Sequence, residues 1–291
     1  MLSAFRCLCA RRIFRALTCV ALLGFVFPVV AGQEKKLEIS ELVSRHLEAV
    51  GSANARQAIK SRFAAGSAKF VGRIGTTANL DGSIGFVSLR PKTRYSIKFP
   101  TTEYPGEQMA YDGKNVEVGW LPAGKRSALS LFIQQQDLVL RDGLMGGVLS
   151  TAWPLMKDPV PARLEFRGAR KVSGRSLNVV AYRQAKGSPD LKVTLFFDPE
   201  TFRHVRTEYE FRIAPRLGIG PNQSNVFQES IYLLSEEFDD FRVVDGVTLP
   251  HKYKIQLSVQ ASASAVLMDW HLSLAQIAHN QPIEDNVFTL R

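Results

Sequence analysis

The sequence predicts a mainly β protein with a few helices, built on a single curved antiparallel sheet or partial barrel. Three observations carry that expectation. From Phe63 onward, apolar residues recur at every second position in one segment after another. Asp-Gly and Asp-Pro turn signals fall along this stretch, and no crossover helices of the kind a parallel sheet needs lie between the segments.

The elements follow in chain order. Arg6, Arg11, Arg12 and Arg15 precede a run of about fifteen mostly apolar residues, Ala16 to Val30, and Ala31 supplies a small residue at its end. Residues 1–31 therefore read as a secretory signal peptide, with cleavage expected after Ala31. An uncleaved membrane anchor is the rival; it wants roughly 20 apolar residues, and this run is shorter and carries Pro28.

Leu37, Ile39, Leu42, Val43, His46, Leu47 and Val50 then form one stripe at helical spacing, ended by Gly51, and a shorter helix is expected near 54–60. Two-residue alternation follows at Tyr95–Phe99, Val116–Trp120, Thr207–Ile213, Tyr253–Val259 and Trp270–Leu274. These segments predict roughly nine to eleven strands, each with one apolar and one wet face. Asp81-Gly82, Asp112-Gly113 and Asp245-Gly246 are hairpin signals, and Asp198-Pro199-Glu200 is a turn of another type. Ser130–Val148 interrupts the series as a helical stretch, and residues 214–225 form a glycine- and proline-containing loop. No repeat or domain boundary divides residues 32–291, which are expected to form one domain.

Composition excludes more than it selects. All three cysteines lie within residues 1–31, so the exported chain is expected to have neither disulfides nor thiolate metal sites. The formal charge of +10 includes the four arginines of the leader, leaving a mildly basic remainder. No lysine or arginine block of the nucleic-acid-binding type is present, so no nucleic-acid partner is expected.

Catalytic motifs are missing from the sequence. There is no G-x-S-x-G elbow, no H-E-x-x-H and no phosphate-binding glycine loop. The histidines at 46, 204, 251, 271 and 279 are scattered, and His204 and His271 read as sheet-face residues. The acids Glu236, Glu237, Asp239 and Asp240 admit a calcium or glycosidase reading, against a solvated strand face punctuated by Phe238 and Phe241. No enzyme activity, catalytic residue, metal or cofactor is expected. What remains is a surplus of apolar surface, including the 14 of the 18 phenylalanines that lie beyond the leader. A curled sheet makes of it either an open ligand cavity or a dry core under permanently packed helices.

Several segments resemble the LolA/LolB superfamily of periplasmic lipoprotein carriers and receptors. Gly82–Pro91 (GSIGFVSLRP) is similar to the family's apolar strand ending in Arg-Pro, and Tyr95–Phe99 to the aromatic strand after it. Met109–Val118, with its Asp-Gly-Lys turn, resembles the next hairpin; Phe241–Pro250 and Asp285–Thr289 resemble late segments. The resemblance implies a half-open barrel that holds acyl chains under a helical lid. It also implies a lid-locking role for Arg90, whose alternative is a strand-end arginine facing water. Strand parity places Ile84, Phe86 and Arg90 inward, with Tyr95, Ile97 and Phe99 inward on the neighbouring strand; Ile84, Phe86, Tyr95, Ile97 and Phe99 are the expected ligand-binding set.

The implied function is a periplasmic carrier of lipid or lipoprotein acyl chains toward the outer membrane, with membrane donor and acceptor proteins as partners. An RseB-like envelope sensor that binds lipid and signals to a membrane partner is the alternative. The chain is longer than such carriers, with the excess expected at 150–190 and 214–225.

Overall fold

The computed structural model describes residues 37–74, 76–184, 190–213, 230–261 and 264–290. The expected leader, residues 1–31, and the 214–225 loop lie outside the described residues. Two helices lead into the sheet, α1 (Ile39–Val50) and α2 (Ala53–Ala58). The stripe read from the sequence is the packed face of α1: Leu42, His46 and Val50 are buried. Gly51 caps α1 with φ 149°, and the Ser52 side chain accepts from the Ala55 N–H to start α2.

Twelve strands follow: β1 (Ser61–Ile74), β2 (Thr76–Leu89), β3 (Lys92–Lys98), β4 (Gly106–Tyr111), β5 (Val116–Val118), β6 (Ala162–Val172), β7 (Arg175–Gln184), β8 (Leu191–Phe197), β9 (His204–Ile213), β10 (Ser230–Val244), β11 (Val247–Ala261) and β12 (Ser264–His279). They form one antiparallel sheet in the order β5-β4-β3-β2-β1-β12-β11-β10-β9-β8-β7-β6. The sheet is curved and does not close, since β5 and β6 are its two edges. The chain thus builds one arm, crosses to the far edge and returns strand by strand to pair β12 with β1.

Alternation fixes which face turns inward. Tyr95, Ile97 and Phe99 are buried, as are Tyr253, Ile255 and Leu257 and also Trp270, Leu272 and Leu274, while Lys98, Lys252 and His271 are exposed. These residues share one hydrophobic core with Leu129, Phe132, Ile133, Val139, Leu140, Leu144, Val148 and Trp153 of the segment linking β5 to β6.

Two expectations are corrected. Ser130–Val148 is not one helix but short pieces: α3 (Ala128–Gln135), α4 (Leu138–Arg141) and 3-10 turns at Gly147–Leu149 and Pro154–Met156. Gly143, Gly146 and Gly147 break it with φ of 76°, 81° and 51°. Asp81-Gly82 is not a turn either; both residues lie inside β2, where Asp81 pairs across from Lys69 and Gly82 from Ala68. A Cβ on Gly82 would stand 2.0 Å from the Lys98 carbonyl oxygen, so this glycine serves close strand packing.

The other turn signals fall where expected. Asp112-Gly113 joins β4 to β5, and Asp198-Pro199-Glu200 joins β8 to β9. Asp245-Gly246 joins β10 to β11 as a two-residue loop with φ of 50° and 78°, the positive pair a tight hairpin turn demands. Replacing Gly246 with Ala puts a side chain at that φ and 3.2 Å from the Ala55 Cβ. The variant should lose about 1–2 kcal/mol in urea unfolding; an unchanged midpoint would contradict this account of the turn.

Candidate functional site

The concave face of the sheet is occupied by residues 127–156, a segment that contributes no strand. Most of its apolar side chains are enclosed: Leu129, Phe132, Ile133, Val139, Leu140, Leu144 and Trp153 are all 0% exposed, while Leu131 on the outer side of α3 is 39% exposed. In this structure the apolar concavity is therefore filled by the chain itself. Polar and charged side chains, mostly from the sheet, tether the segment along its length.

Glu107 on β4 holds the start. It is buried, and its carboxylate accepts from Ser127 Oγ (2.6 Å), Ser130 Oγ (3.0 Å) and Tyr104 Oη (2.5 Å). Ser127 is also the N-cap of α3, accepting from the Ser130 N–H at 2.9 Å, so the same serine starts the helix and binds the sheet. Tyr104 in turn accepts from Trp270 Nε1 at 2.9 Å. Burial raises the Glu107 carboxyl above the usual carboxylate range, opposed by the three hydroxyl donors.

Glu236 on β10 holds the middle. It is 0% exposed and accepts from the Gly146 N–H (2.7 Å), Tyr209 Oη (2.7 Å) and Tyr253 Oη. The solvated-face reading of the acidic run is thus wrong for Glu236. Residue 236 is in phase with Leu234 and Phe238, both buried, whereas Glu237 and Asp239 alternate with them. Burial pushes the Glu236 carboxyl up to about 7, against the pull of its donors. Gly146 can approach because it has no side chain: a Cβ there would stand 2.3 Å from Tyr95 Oη.

Arg62 on β1 holds the next turn. Its Nη1 donates to the carbonyls of Val148 and Leu149, each at 2.6 Å, and its Nε donates to His279 Nε2 at 3.0 Å. His279 Nδ1 lies 2.8 Å from Asp245, so the ring is a neutral imidazole that accepts at one nitrogen and donates at the other. Burial depresses the Arg62 guanidinium to about 9. Register places Arg62 between Ser88 on β2 and His279 on β12. Ser88 Oγ lies 2.8 Å from Thr151 Oγ1 and accepts from the Thr151 N–H at 2.9 Å.

The last tethers come from Arg90 and from α1. Arg90 lies at the exposed rim, just beyond β2, and its Nε donates to the Thr151 carbonyl at 2.8 Å. Its strand-end position and its bond to the inner segment are thus compatible. His46 on α1 accepts from Trp153 Nε1 at 3.1 Å through Nε2, and its Nδ1 donates to the Phe202 carbonyl at 3.1 Å. Burial drives His46 down to about 4, so it stays neutral. His204 stacks on the Trp153 ring, with centroids 4.7 Å apart, and lies 6.4 Å from the His46 ring.

The five residues expected to line a ligand site are adjacent on this face. Ile84 pairs with Ile97 and Phe86 with Tyr95, and all four are at most 3% exposed. The Phe86 and Tyr95 rings lie 4.8 Å apart, and Phe99 stacks on Tyr104 at 5.6 Å. Tyr95 Oη is buried with no hydrogen-bond partner. Sequence reasoning missed Arg62, Ser88, Glu107 and Glu236 as parts of this site, although charge in phase with a buried stripe marks both Glu107, beside Met109 and Tyr111, and Glu236.

Among the described residues no group of three or more His, Cys, Asp or Glu is placed to hold a metal ion. No helix among them is long and apolar enough to cross a membrane.

No family profile and no curated protein matches this chain. Among solved structures, it is similar to a LolA superfamily protein from Nitrosomonas europaea, with 13% identity, 87% of this chain and 98% of that chain covered, and a TM-score of 0.45. It is also similar to a domain described as an outer membrane lipoprotein-sorting protein from Vibrio parahaemolyticus (12% identity, 84% and 97% covered, TM-score 0.44). A third is a DUF1329 family protein from Desulfovibrio piger (9% identity, 86% and 97% covered, TM-score 0.39).

The Glu236 carboxyl makes a signed prediction. Its ordinary value is 4.5 and its folded value about 7, so the folded state holds this proton more tightly. Its contribution is unfavourable above pH 7 and is relieved as pH falls from 7 toward 4.5. Between pH 8 and pH 5 the wild type should gain roughly 2–3 kcal/mol that Glu236→Gln does not. Urea unfolding at each pH measures the difference; parallel curves for the two proteins would contradict it.

Proposed function

We propose that this protein is a periplasmic carrier that binds lipid or lipoprotein acyl chains on the concave face of its sheet, for transport toward the outer membrane. Ile84, Phe86, Tyr95, Ile97 and Phe99 would contact the chains, and Arg90 would lock the inner segment in place when no ligand is held. One observation carries the reading. The apolar concave face is covered by a segment held at discrete polar points, with no strand pairing between segment and sheet. Such a cover can leave as a unit.

Its departure would exchange apolar contacts for apolar contacts, since acyl methylenes would replace the side chains of residues 127–156. Each methylene buried from water contributes about 0.8 kcal/mol, so a long chain has enough driving force to compete. The polar tethers then decide when the exchange happens. No bond is made or broken in the ligand, and no catalytic group is needed. Membrane donor and acceptor proteins would load and unload the carrier.

Two measurements test this. Mass spectrometry of the protein purified from its native compartment should find acyl lipid bound to it. Arg90→Leu removes one charged hydrogen bond from the covered state, worth about 1.5–3 kcal/mol, and so favours the loaded state. The lipid-free variant should lose that same amount in urea unfolding, yet release acyl ligand roughly tenfold more slowly. Identical uptake and release by the two proteins would remove Arg90 from the mechanism, and a protein free of lipid that takes up no acyl probe would sink the carrier reading.

A further inference from the structure

A second site lies outside the concavity. A cleft of about 700 Å³ opens where α1 and α2 face the end of β2 and the 155–160 turn. That volume is within the roughly 300–1,000 Å³ typical of small-molecule sites. Val43, Leu47, Leu89, Leu155, Met156 and Val160 contribute apolar wall. Arg56, Lys60, Arg90 and Lys157 also line it, against one acid, Asp158.

These cations are poorly matched within the protein. Arg56 Nε is buried without a hydrogen-bond partner. Among the described residues Lys60 Nζ donates to the Gln57 carbonyl alone, at 2.8 Å, and Arg90 uses Nε on Thr151. Burial pushes the Lys157 ammonium below its ordinary pKa; Asp142 opposes this, and Arg90 adds to it. A small void sharing the Arg56, Ile59, Arg90 and Met156 lining adds Arg62 as a third guanidinium, and no carboxylate lines it. The cleft therefore has an electropositive pole beside an apolar wall.

We propose that this cleft binds one anionic amphiphile. Its acyl chain lies along Val43, Leu47, Leu89 and Val160, and its phosphate-bearing head is held by Arg56, Lys60, Arg90 and Lys157. A free inorganic anion would leave the apolar wall unused, and a neutral lipid would leave the cations unmatched. The site goes beyond the carrier reading, because filling it does not require residues 127–156 to leave the concavity.

Isothermal titration calorimetry of the purified protein tests the site, using palmitoyl lysophosphatidylglycerol, palmitoyl lysophosphatidylcholine and inorganic phosphate below micelle formation. The glycerol lipid should bind one to one and about tenfold or more tighter than the zwitterionic choline lipid. The double variant Arg56→Gln/Lys157→Gln should lose that advantage. Lys60→Glu, a surface change, should weaken binding in the same direction and covers the case in which the double variant folds poorly. Val43→Trp should block the cleft while leaving any acyl lipid carried in the concavity detectable by mass spectrometry. Equal affinity for the two lysolipids, phosphate binding as tight as the lysolipid, or a preference for the anionic lysolipid that survives Val43→Trp would each overturn the proposal. Loss of concavity lipid with cleft binding intact would count against the carrier reading alone.

Discussion

The structure depends on satisfying charges that face the inside of a curved sheet. Glu107, Glu236 and Arg62 are each at most 3% exposed, and among the described residues none has an ion-pair partner of opposite charge in direct contact. Taking such groups out of water costs several kcal/mol apiece unless hydrogen bonds replace the lost hydration. Residues 127–156 supply many of those bonds, through Ser127, Ser130, the Gly146 N–H and the carbonyls of Val148 and Leu149. Greasy packing alone would let the segment slide. The buried charges fix its register, because a shift of one residue strands them.

The histidines illustrate the same economy of burial. His46 and His204 both pack against Trp153, and burial holds both well below their ordinary pKa. They remain neutral packing and hydrogen-bonding groups across physiological pH. The Glu236 carboxyl takes up its proton near neutrality, because enclosure outweighs the pull of its three donors.

Much of this fold was legible as periodicity. The α1 stripe, the inward phase of Tyr95, Ile97 and Phe99, and the Asp245-Gly246 turn follow from local rules that tertiary packing did not override. Asp81-Gly82 shows where local rules fail. A hairpin pair looks the same in sequence whether the chain turns there or runs straight beside a neighbouring carbonyl, and Gly82 is needed for the second reason. The inner segment was legible as helix-forming but not as broken, because its breaks answer to Tyr95 and His204, residues distant in sequence that leave no room for side chains at Gly146 and Gly147. The site charges were hidden for a related reason: Arg62 meets its carbonyl partners only after 86 residues of intervening chain.

The Arg62–His279–Asp245 chain reaches from the interior to the outside. Arg62 grips the inner segment, His279 relays the contact, and Asp245 is a largely exposed residue of the β10–β11 turn. That turn also meets the helical end of the molecule, through the bridge of Val247 with Gly51 and the approach of Gly246 to Ala55. Whatever displaces the inner segment unloads Arg62, and with it the imidazole that braces this hairpin. The interior of the molecule and one of its surface corners are thereby joined by a single run of three side chains.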